Sequence, residues 1–367
     1  MMFDLAIIGA GPAGAMLARL VGNRCRVLLV EPRRLDGPPE GIGKCCGGLL
    51  APVAQQVLAE QGLGVPRAVL SDPQPFMVRT IDVDNGLEGY YQRFYLNCDR
   101  ELFDRWLVSL APAGVDARFG CRLKGLAVQE DGVELTLAAA GRRYTERARL
   151  VVGADGAHSL VRRLALPRHP RPQPYLAIQE WYESGSVLPY FSALFDREVT
   201  DFYAWTIPKG DLLVVGAALP PRADAAGRMA RLREVLARNG VRLGACVKRE
   251  GALVLRPRQA DQLCPGDGRA ALIGEAAGWI SPTSAEGISY AFRSAIALAE
   301  ALRDGPDGAL ARYRRQTAPL RRNIALKLAK SPFMYAPWLR ALALRLGAPG
   351  VRCDANRECE GLSVALR

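Results

Sequence analysis

The feature that most constrains this chain is a glycine-rich turn held between two apolar runs. Residues 5–8 form a short apolar run, and a G-x-G-x-x-G turn follows over residues 9–14. A second, mostly apolar run over residues 26–30 leads into Glu31. Apolar residues between the two runs recur with helical spacing. Short apolar runs of this kind are typical of strands that are buried on both faces. The stretch therefore predicts a strand–turn–helix–strand unit.

Each part of this unit stands where dinucleotide binding requires it. Gly9 permits the tight turn, Gly11 lets the backbone approach a pyrophosphate, and Gly14 lets the helix pack closely on the strand. The free N–H groups at the start of the helix face the phosphates. Glu31, twenty residues beyond Gly11, can accept hydrogen bonds from a ribose diol, which favours the unphosphorylated adenosine ribose of FAD or NAD. The alternative is a glycine-rich turn without a ligand.

The composition is that of a globular protein with an excess of positive charge. Of the 367 residues, 49% are apolar and 23% are charged, and 49 Lys and Arg residues against 37 Asp and Glu residues give a net charge of +12. This length allows one large domain or two ordinary ones. The excess charge indicates either an arginine-rich surface in water or attraction to anionic cofactors, substrates or membranes.

The pattern also disfavours several classes of protein. No run reaches the roughly eighteen apolar residues that a membrane-spanning helix needs, and the first residues lack the pattern of a signal peptide. The nine cysteines show no disulfide spacing, and the two histidines form no metal-ligand cluster with them. No nucleic-acid-binding motif competes. We expect a cytoplasmic protein with neither a metal site nor a nucleic-acid partner.

Two later apolar runs end in turns of the same kind. One leads into Asp155, and the other covers residues 270–273. The carboxyl ends of parallel strands meet at one edge of an open sheet, where ligands bind. Between these runs, residues 167–256 alternate in the manner of strands and include a helical stretch over residues 229–239. They predict an antiparallel sheet with one covering helix.

The chain is therefore predicted to have an α/β fold: a Rossmann-like dinucleotide-binding domain, an inserted antiparallel-sheet substrate domain and a C-terminal helical segment. The predicted boundaries are residues 1–70, 91–166 and 257–318 for the first domain, residues 71–90 and 167–256 for the substrate domain, and residues 319–367 for the helical segment. Proline is expected to break the helices of residues 309–346 at Pro319, Pro332 and Pro337.

The C-terminal segment combines cations with apolar residues. Residues 309–352 contain ten Lys and Arg residues and no acidic residue, with apolar residues interleaved. Two interpretations stay open. The segment is either a solvated basic surface over packed helices or a pair of interfacial helices in peripheral contact with an anionic membrane, which here would be the inner membrane.

Three segments together resemble the FAD motifs of the p-hydroxybenzoate hydroxylase-like flavoproteins: residues 9–14 with Glu31, residues 153–162, and residues 274–288. Within that group, residues 44–48 and 203–208 resemble the geranylgeranyl reductase branch. Residues 44–52, 91–93 and 272–290 are most similar to the bacterial colicin M resistance flavoproteins. The resemblance covers about residues 3–345.

This resemblance implies that the cofactor is FAD. The implied cofactor-binding residues are Gly9, Gly11, Ala13, Gly14, Glu31, Lys44, Arg100, Asp155, Gly156, Glu275, Gly287 and Ile288. Glu275 stands where most relatives have Asp, which meets the ribityl chain, so that contact is expected from a longer side chain. Gly287 and Ile288 are expected to bring backbone N–H groups near the pyrimidine edge of the flavin. No second G-x-G-x-x-G is present, so NAD(P)H or another electron donor is expected to bind only transiently.

The resemblance also implies three residues at the reacting end of the site. Cys46 resembles the cysteine that geranylgeranyl reductases hold near the flavin, where it either donates a proton or lines the pocket. Tyr203 and Trp205 lie two residues apart on a predicted strand and so share a face. They form either core packing or the walls of a pocket for a long apolar chain.

The predicted function is that of an FAD-dependent oxidoreductase that reduces carbon–carbon double bonds of an isoprenoid or other apolar, lipid-like small molecule. Two alternatives stay open: a flavin-dependent aromatic monooxygenase, and a flavoprotein that binds a lipid without turnover. Halogenation is a lesser alternative, because the segment around Trp205 is also similar to flavin-dependent halogenases but their catalytic lysine cannot be placed here.

Overall fold

The structure is a computed structural model that describes residues 2–39, 44–184, 188–345 and 352–353. In chain order, the strands are β1 (Phe3–Ile8), β2 (Val27–Glu31), β3 (Leu49–Leu50), β4 (Met77–Asp82), β5 (Leu87–Gln92), β6 (Leu96–Asn97), β7 (Asp116–Phe119), β8 (Cys121–Val128), β9 (Val133–Ala139), β10 (Arg142–Gly153), β11 (Gln173–Glu183), β12 (Tyr190–Phe195), β13 (Ala204–Lys209), β14 (Leu212–Leu219), β15 (Cys246–Arg256), β16 (Gly266–Asp267), β17 (Ala270–Leu272) and β18 (Arg352–Cys353). The helices are α1 (Pro12–Val21), α2 (Pro52–Glu60), α3 (Arg100–Ser109), α4 (Leu160–Ala165), α5 (Ala225–Arg238), α6 (Ile288–Ala301), α7 (Ala309–Gln316), α8 (Ala318–Tyr335) and α9 (Pro337–Arg345).

The first sheet has a parallel centre. Strands β17, β10, β1, β2 and β7 lie side by side in that order, and each neighbouring pair is parallel. In β1, Leu5 and Ile7 pack into the core on one face, while Ala6 and Ile8 pack into the core on the other. Burial on both faces explains why the strand is a continuous apolar run in the sequence.

The parallel strands end level with one another. Ile8 of β1 is paired with Gly153 of β10, and Gly153 is paired with Leu272 of β17. The chain leaves β1 toward β2 on one side, while β10 and β17 lie on the other, so the order of strands reverses between β1 and β10. A crevice outside the carboxyl ends of the strands at such a reversal is where open α/β sheets bind ligands.

The second sheet has the order β15, β11, β14, β13, β12, β4, β5 and β18. Its pairs are antiparallel except for β12 and β4, which are parallel. The prediction of a purely antiparallel sheet was wrong at this pair, because β4 lies more than a hundred residues before β12 and no hairpin joins them. Helix α5 covers one face through Met229, Leu232 and Leu236. The other face carries Tyr175, Trp205 and Ile207.

The C-terminal helices are fastened to the second sheet. Arg340 of α9 is buried and bonds both carboxylate oxygens of Asp82 at 2.7 Å and Asp84 at 2.8 Å. The predicted break at Pro332 was wrong, because α8 continues for one more turn to Tyr335, whose hydroxyl donates to the Thr283 carbonyl at 2.6 Å. Such tertiary contacts override the cost of one missing backbone hydrogen bond in the last turn.

The fold class predicted from the sequence is confirmed: a Rossmann-like unit, a second sheet and C-terminal helices make up an α/β protein. The exact boundaries of the predicted domains stay a prediction. None of the helices in the described ranges is both long and apolar enough to cross a membrane. Of the last twenty residues, the structure describes only Arg352 and Cys353.

Candidate active site

The three glycine-containing motifs meet at the carboxyl edge of the first sheet. Gly9 follows β1 with a φ of +104°, and a Cβ on it would stand 2.5 Å from the Ala154 carbonyl oxygen, next to Asp155. A Cβ on Gly274, after β17, would stand 2.9 Å from the Cβ of Ala13. The first motif therefore touches both of the others, and neither contact leaves room for a side chain at the glycine.

Two glycines of the first motif differ in what surrounds them. A Cβ on Gly14 would stand 1.8 Å from the Gly9 carbonyl oxygen, so this glycine is required for the turn to pack on its own helix. A Cβ on Gly11 would have no atom of the described residues within 4 Å. The φ of Gly11 is −70°, a value that other residues also adopt. The space in front of Gly11 is thus open beside the start of α1, which fits the approach of a pyrophosphate.

Glu31 closes the turn from the end of β2. One oxygen of its buried carboxylate accepts the Ala10 N–H at 2.7 Å, and the other accepts the Arg33 N–H and Nε–H. Arg33 continues to Asp104 of α3 through a 2.7 Å bond from Nη1. Asp104 also accepts from Arg100 Nε at 2.8 Å. A chain of paired charges therefore joins Glu31, at the end of β2, to Arg100.

Asp104 is fully buried, and its charge is held by its two partners. Burial alone would raise the pKa of its carboxyl, but the guanidinium groups of Arg100 and Arg33 hold that pKa below the usual value. A buried carboxylate with charged, hydrogen-bonded partners on both sides stays ionised. Its role is to fix the direction of Arg100.

Arg100 lies between this charged network and Cys46. As the first residue of α3, it follows Asp99, whose carboxylate caps the helix by accepting the Glu101 and Leu102 N–H groups. The Arg100 guanidinium lies near the Cys46 sulfur, and each group favours the charged form of the other. Burial would raise the pKa of the Cys46 thiol, but Arg100, the Gly48 N–H and the Lys44 ammonium together hold that pKa below its ordinary value.

Cys45 points the other way. Its sulfur lies 3.9 Å from the Ala177 carbonyl oxygen of β11, on the second sheet. Burial, with a contribution from Glu250, raises the pKa of the Cys45 thiol to about 12. The two neighbouring thiols therefore differ: Cys46 lies among cations, and Cys45 remains a neutral thiol against the sheet.

Lys44 links the second and third motifs. Its ammonium lies 4.0 Å from Oε2 of Glu275, and a Cβ on Gly156 would stand 4.0 Å from the same nitrogen. The other oxygen of Glu275 accepts the Leu255 N–H of β15 at 2.7 Å. Glu275 thus ties the third motif to the second sheet, and its predicted contact with a ribityl chain stays a prediction.

Asp155 caps the helix that follows the second motif. Its Oδ2 accepts the Leu160 and Val161 N–H groups at 2.7 and 3.2 Å. Its buried Oδ1 has no hydrogen-bond partner among the described residues. Burial raises the pKa of Asp155, against the opposing hydrogen bonds from Ser159 and the helix. An unpartnered carboxylate oxygen at this edge fits a bound group that donates hydrogen bonds.

The third motif ends at the first turn of α6. Gly287 caps this helix, and Ile288 is its first residue, so their N–H groups are among those that the helix itself leaves without a partner. Glu286 accepts the Ser289 N–H at 2.8 Å and also its hydroxyl. These bonds orient the helix start that is predicted to face the flavin.

Tyr203 and Trp205 form an aromatic wall on the second sheet, and Tyr203 lies near Cys46. Their ring centroids lie 5.5 Å apart, so they share a face of the sheet as predicted from their spacing. The Tyr203 hydroxyl donates to the Ser284 carbonyl in the third motif at 2.8 Å. Burial, with Tyr95 and Cys46 nearby, raises the pKa of Tyr203, so the phenol keeps its proton. Trp205 packs flat against Gly216 of the neighbouring strand.

Three contributors to this site were missed in the sequence: Arg33, Asp104 and Lys209. Asp104 lies four residues after Arg100, which is a helical pairing distance and was a usable signal. Lys209 lies at even spacing from Tyr203 and Trp205, so strand alternation places it on their face. Among the described residues, no three Cys, His, Asp or Glu side chains are grouped so that they could hold a metal ion.

Comparison with known proteins agrees with this geometry. The FAD_binding_3 family, an FAD binding domain, matches residues 2–172. The chain is 40% identical to protein CbrA of Escherichia coli O9:H4 over 345 residues, which cover 94% of this chain and 93% of that protein.

Two solved structures are similar in fold. A geranylgeranyl bacteriochlorophyll reductase-like protein from Thermoplasma acidophilum has a TM-score of 0.76 at 17% identity, covering 94% of this chain and 99% of that one. PqsL of Pseudomonas aeruginosa, in complex with 2-aminobenzoylacetate, has a TM-score of 0.68 at 22% identity, covering 94% and 100%. At these identities the likeness shows the fold alone. With the matched domain and the open space at Gly11, the cofactor is FAD.

Proposed function

The chain belongs to the CbrA family, and on that premise we propose that this FAD-dependent oxidoreductase reduces carbon–carbon double bonds of an isoprenoid or similar lipid-like substrate. The observation that carries the proposal is the position of Cys46, whose sulfur lies near the Arg100 guanidinium and the Tyr203 phenol, with Trp205 packed beside Tyr203. An acidic thiol beside an aromatic, apolar surface suits the protonation of a hydrocarbon chain better than the recognition of a polar ring.

The chain supplies binding and proton chemistry, and bound FAD in its reduced form supplies a hydride. The residues proposed to hold the dinucleotide are Gly9, Gly11, Ala13, Gly14, Glu31, Lys44, Arg100, Asp155, Gly156, Glu275, Gly287 and Ile288. NAD(P)H or another donor, bound transiently, is proposed as the source of electrons. The aromatic wall is proposed to hold the substrate and to keep water out.

Cys46 is proposed to give the proton from its sulfur to the substrate carbon. A lowered pKa makes the thiol a stronger acid, and an acid with a pKa near the working pH is the most effective donor. The proton must be present before it can be given, so activity is expected to fall as the pH rises through the pKa of Cys46. Tyr203 is a poorer donor, because its pKa is raised and its hydroxyl is bonded to Ser284.

Two other functions remain as alternatives. PqsL, which is similar in fold, is a probable FAD-dependent monooxygenase, and an aromatic monooxygenase would need molecular oxygen for product formation. A lipid-binding flavoprotein without turnover would bind its lipid stoichiometrically and release it unchanged. The need for oxygen and the mass of the product separate all three.

Exchange of Cys46 for Ser is expected to lower turnover by at least about tenfold, which corresponds to ~1.4 kcal/mol of barrier. Serine keeps the shape of the side chain but is a far weaker acid than a thiol. Flavin absorbance should be nearly unchanged in the variant. The measurement is the rate at which a polyprenyl lipid reoxidises the reduced holoprotein without oxygen.

The matched control is Cys45→Ser, one residue away in the same loop. Because the Cys45 thiol faces the Ala177 carbonyl and stays protonated, its exchange should leave turnover within about twofold of the wild type. If both variants react at the wild-type rate, the proton comes from another group. If only Cys45→Ser is slow, the assignment of the two thiols is reversed.

We further propose that α8 and α9 rest on an anionic membrane. Arg322, Leu326, Lys330 and Phe333 follow one another at spacings of four, four and three, which places them on one face of α8. Leu326 is 63% exposed, and Trp338 on α9 is 69% exposed. Some cations of the segment are bonded within the protein, as Arg340 is to Asp82. The exposed remainder supports contact with lipid headgroups.

Binding to vesicles is expected to require anionic lipid and to weaken as salt rises. Each cation near an anionic surface contributes about 1 kcal/mol, and salt screens this attraction. Exchange of Arg322 and Lys330 for Gln should therefore release the protein in a sedimentation assay. Exchange of Arg142 and Arg143, exposed at the hairpin between β9 and β10, removes the same charge and should not. Equal sedimentation of both double variants would leave the segment as a solvated surface.

A further inference from the structure

Lys209 is a buried lysine at the centre of the site that the proposed chemistry does not use. It is the last residue of β13 and is 9% exposed. Its ammonium donates to the Cys98 carbonyl oxygen at 2.6 Å. The acceptor is a carbonyl and not a carboxylate, so this partner leaves the positive charge of the ammonium in place. A buried charge held in this way is costly and needs a reason.

The ammonium lies where three segments meet. Gly48, at the end of the Cys46 loop, has a φ of +66°, and a Cβ there would stand 2.7 Å from Lys209 Nζ and 2.1 Å from the Cys98 oxygen. The Cys98 N–H in turn donates to the Gly48 carbonyl at 2.8 Å. Next to this point, Asn97 donates to the Pro208 carbonyl of β13 at 2.8 Å. The second sheet, the Cys46 loop and the turn before α3 therefore meet at the ammonium nitrogen of Lys209.

The same nitrogen adds positive charge near Cys46. The groups that lower the pKa of Cys46 are Arg100 from α3 and, from its own loop, Lys44 and the Gly48 N–H. Lys209 from β13 is near enough for Cys46 to act on its pKa. The thiols of Cys45 and Cys98 and the phenol of Tyr203 also lie near Cys46. Burial lowers the pKa of Lys209 to about 8, while Cys98, Cys46 and Asp99 act in the opposite direction. Lys209 and Cys46 therefore influence each other's ionisation.

We propose that Lys209 is a positioning residue for Cys46: its ammonium fastens strand β13 of the second sheet to the turn before Arg100, and it places a positive charge against Gly48 at the end of the Cys46 loop. This assignment rests on the proposed function, in which Cys46 handles a proton. The assignment extends that function, because the acidity of Cys46 then depends on a residue of the second sheet. A substrate that shifts β13 would thereby change the acidity of the group that protonates it.

The test is the pH dependence of alkylation of Cys46 by iodoacetamide, followed by peptide mass spectrometry in the FAD-loaded protein. A Cys45→Ser background isolates the signal of Cys46. Lys209→Gln keeps a donor for the Cys98 carbonyl but removes the charge, and it should raise the pH midpoint by about one unit. Lys209→Arg keeps the charge and should hold the midpoint near the wild-type value. Lys248→Met, a control on the same sheet beside Cys45, should leave it unchanged.

An unchanged midpoint in Lys209→Gln would overturn the proposal, whatever happens to turnover. A merely structural role predicts lower stability with the same midpoint. If the Gln variant does not fold, the alkylation rate of the wild-type protein is plotted against pH instead. The pKa of Lys209 is lowered to about 8, so a thiol coupled to it should titrate over a wider pH range than a single independent thiol. A single-site curve would then contradict the proposal. If the midpoint moves but the pH profile of turnover does not, Lys209 positions Cys46 and the proposed use of Cys46 in turnover fails.

Discussion

Gly11→Val should leave a folded protein that no longer binds FAD. The Cβ position at Gly11 has no atom of the described residues within 4 Å, and its φ of −70° suits valine, so the fold should tolerate the change. The added side chain would fill the space through which the backbone meets the pyrophosphate. We expect affinity for FAD to fall by at least about 100-fold, which is ~2.7 kcal/mol. Flavin fluorescence titration measures the loss, and circular dichroism checks the fold.

Two other glycines provide controls for this experiment. Gly64→Val also adds a side chain where no described atom lies within 4 Å, but outside the three motifs, so it should bind FAD normally. Gly14→Val would place its Cβ 1.8 Å from the Gly9 carbonyl oxygen and should not fold. Full flavin occupancy in Gly11→Val would mean that the pyrophosphate does not lie at this turn.

Asp104→Asn should be among the most destabilising single changes in the protein. The carboxylate is fully buried and bonds both Arg33 and Arg100. Its loss leaves Arg100 without a carboxylate partner and Arg33 with Glu31 alone, which costs about 3–5 kcal/mol in the free energy of unfolding. Urea denaturation at neutral pH measures this difference. The control is Asp116→Asn, which weakens a partly exposed pair with Arg118 and should cost less than about 1 kcal/mol.

The same variant has a pH signature. The pKa of Asp104 is lowered in the folded protein, so its contribution is present above the unfolded pKa of about 3.9 and is lost as pH falls through the folded value. The wild-type and Asp104→Asn stability curves should therefore differ at neutral pH and converge under acid conditions. A constant gap down to the lowest pH would show that the charge of Asp104 is not what stabilises the fold.

The dinucleotide unit was predictable because its parts are adjacent in the chain. Strand, turn, helix and second strand each have a local signature between Phe3 and Glu31, and the structure has all four. The cap of α3 at Asp99 was predictable for the same reason, since a cap needs only its own helix.

The charged network of Glu31, Arg33, Asp104 and Arg100 could not be predicted from local sequence patterns. Arg33 and Asp104 are 71 residues apart, and no local pattern joins a residue after β2 to one within α3. The orientation of the two adjacent thiols was likewise undecided, because it depends on contacts with Arg100 and with Ala177 of the second sheet. Such pairings depend on how the elements pack, which the local pattern of residues does not determine.

Lys209 illustrates a signal that was present but not used. Alternation along β13 places it on the face of Tyr203 and Trp205, and a lysine on a predicted apolar face is unusual enough to merit a function. The parallel pairing of β4 with β12 had no such signal, because strands far apart in the chain can pair in either direction.

The central claim is that the protein saturates a lipid double bond with electrons from FAD. The most direct test mixes chemically reduced holoprotein with a polyprenyl lipid without oxygen and records both the flavin spectrum and the mass of the lipid. We expect the flavin to be reoxidised while the lipid gains two hydrogen atoms for each flavin reoxidised. Product that forms only with oxygen and carries an added oxygen atom, or lipid that is bound and recovered unchanged, would contradict it.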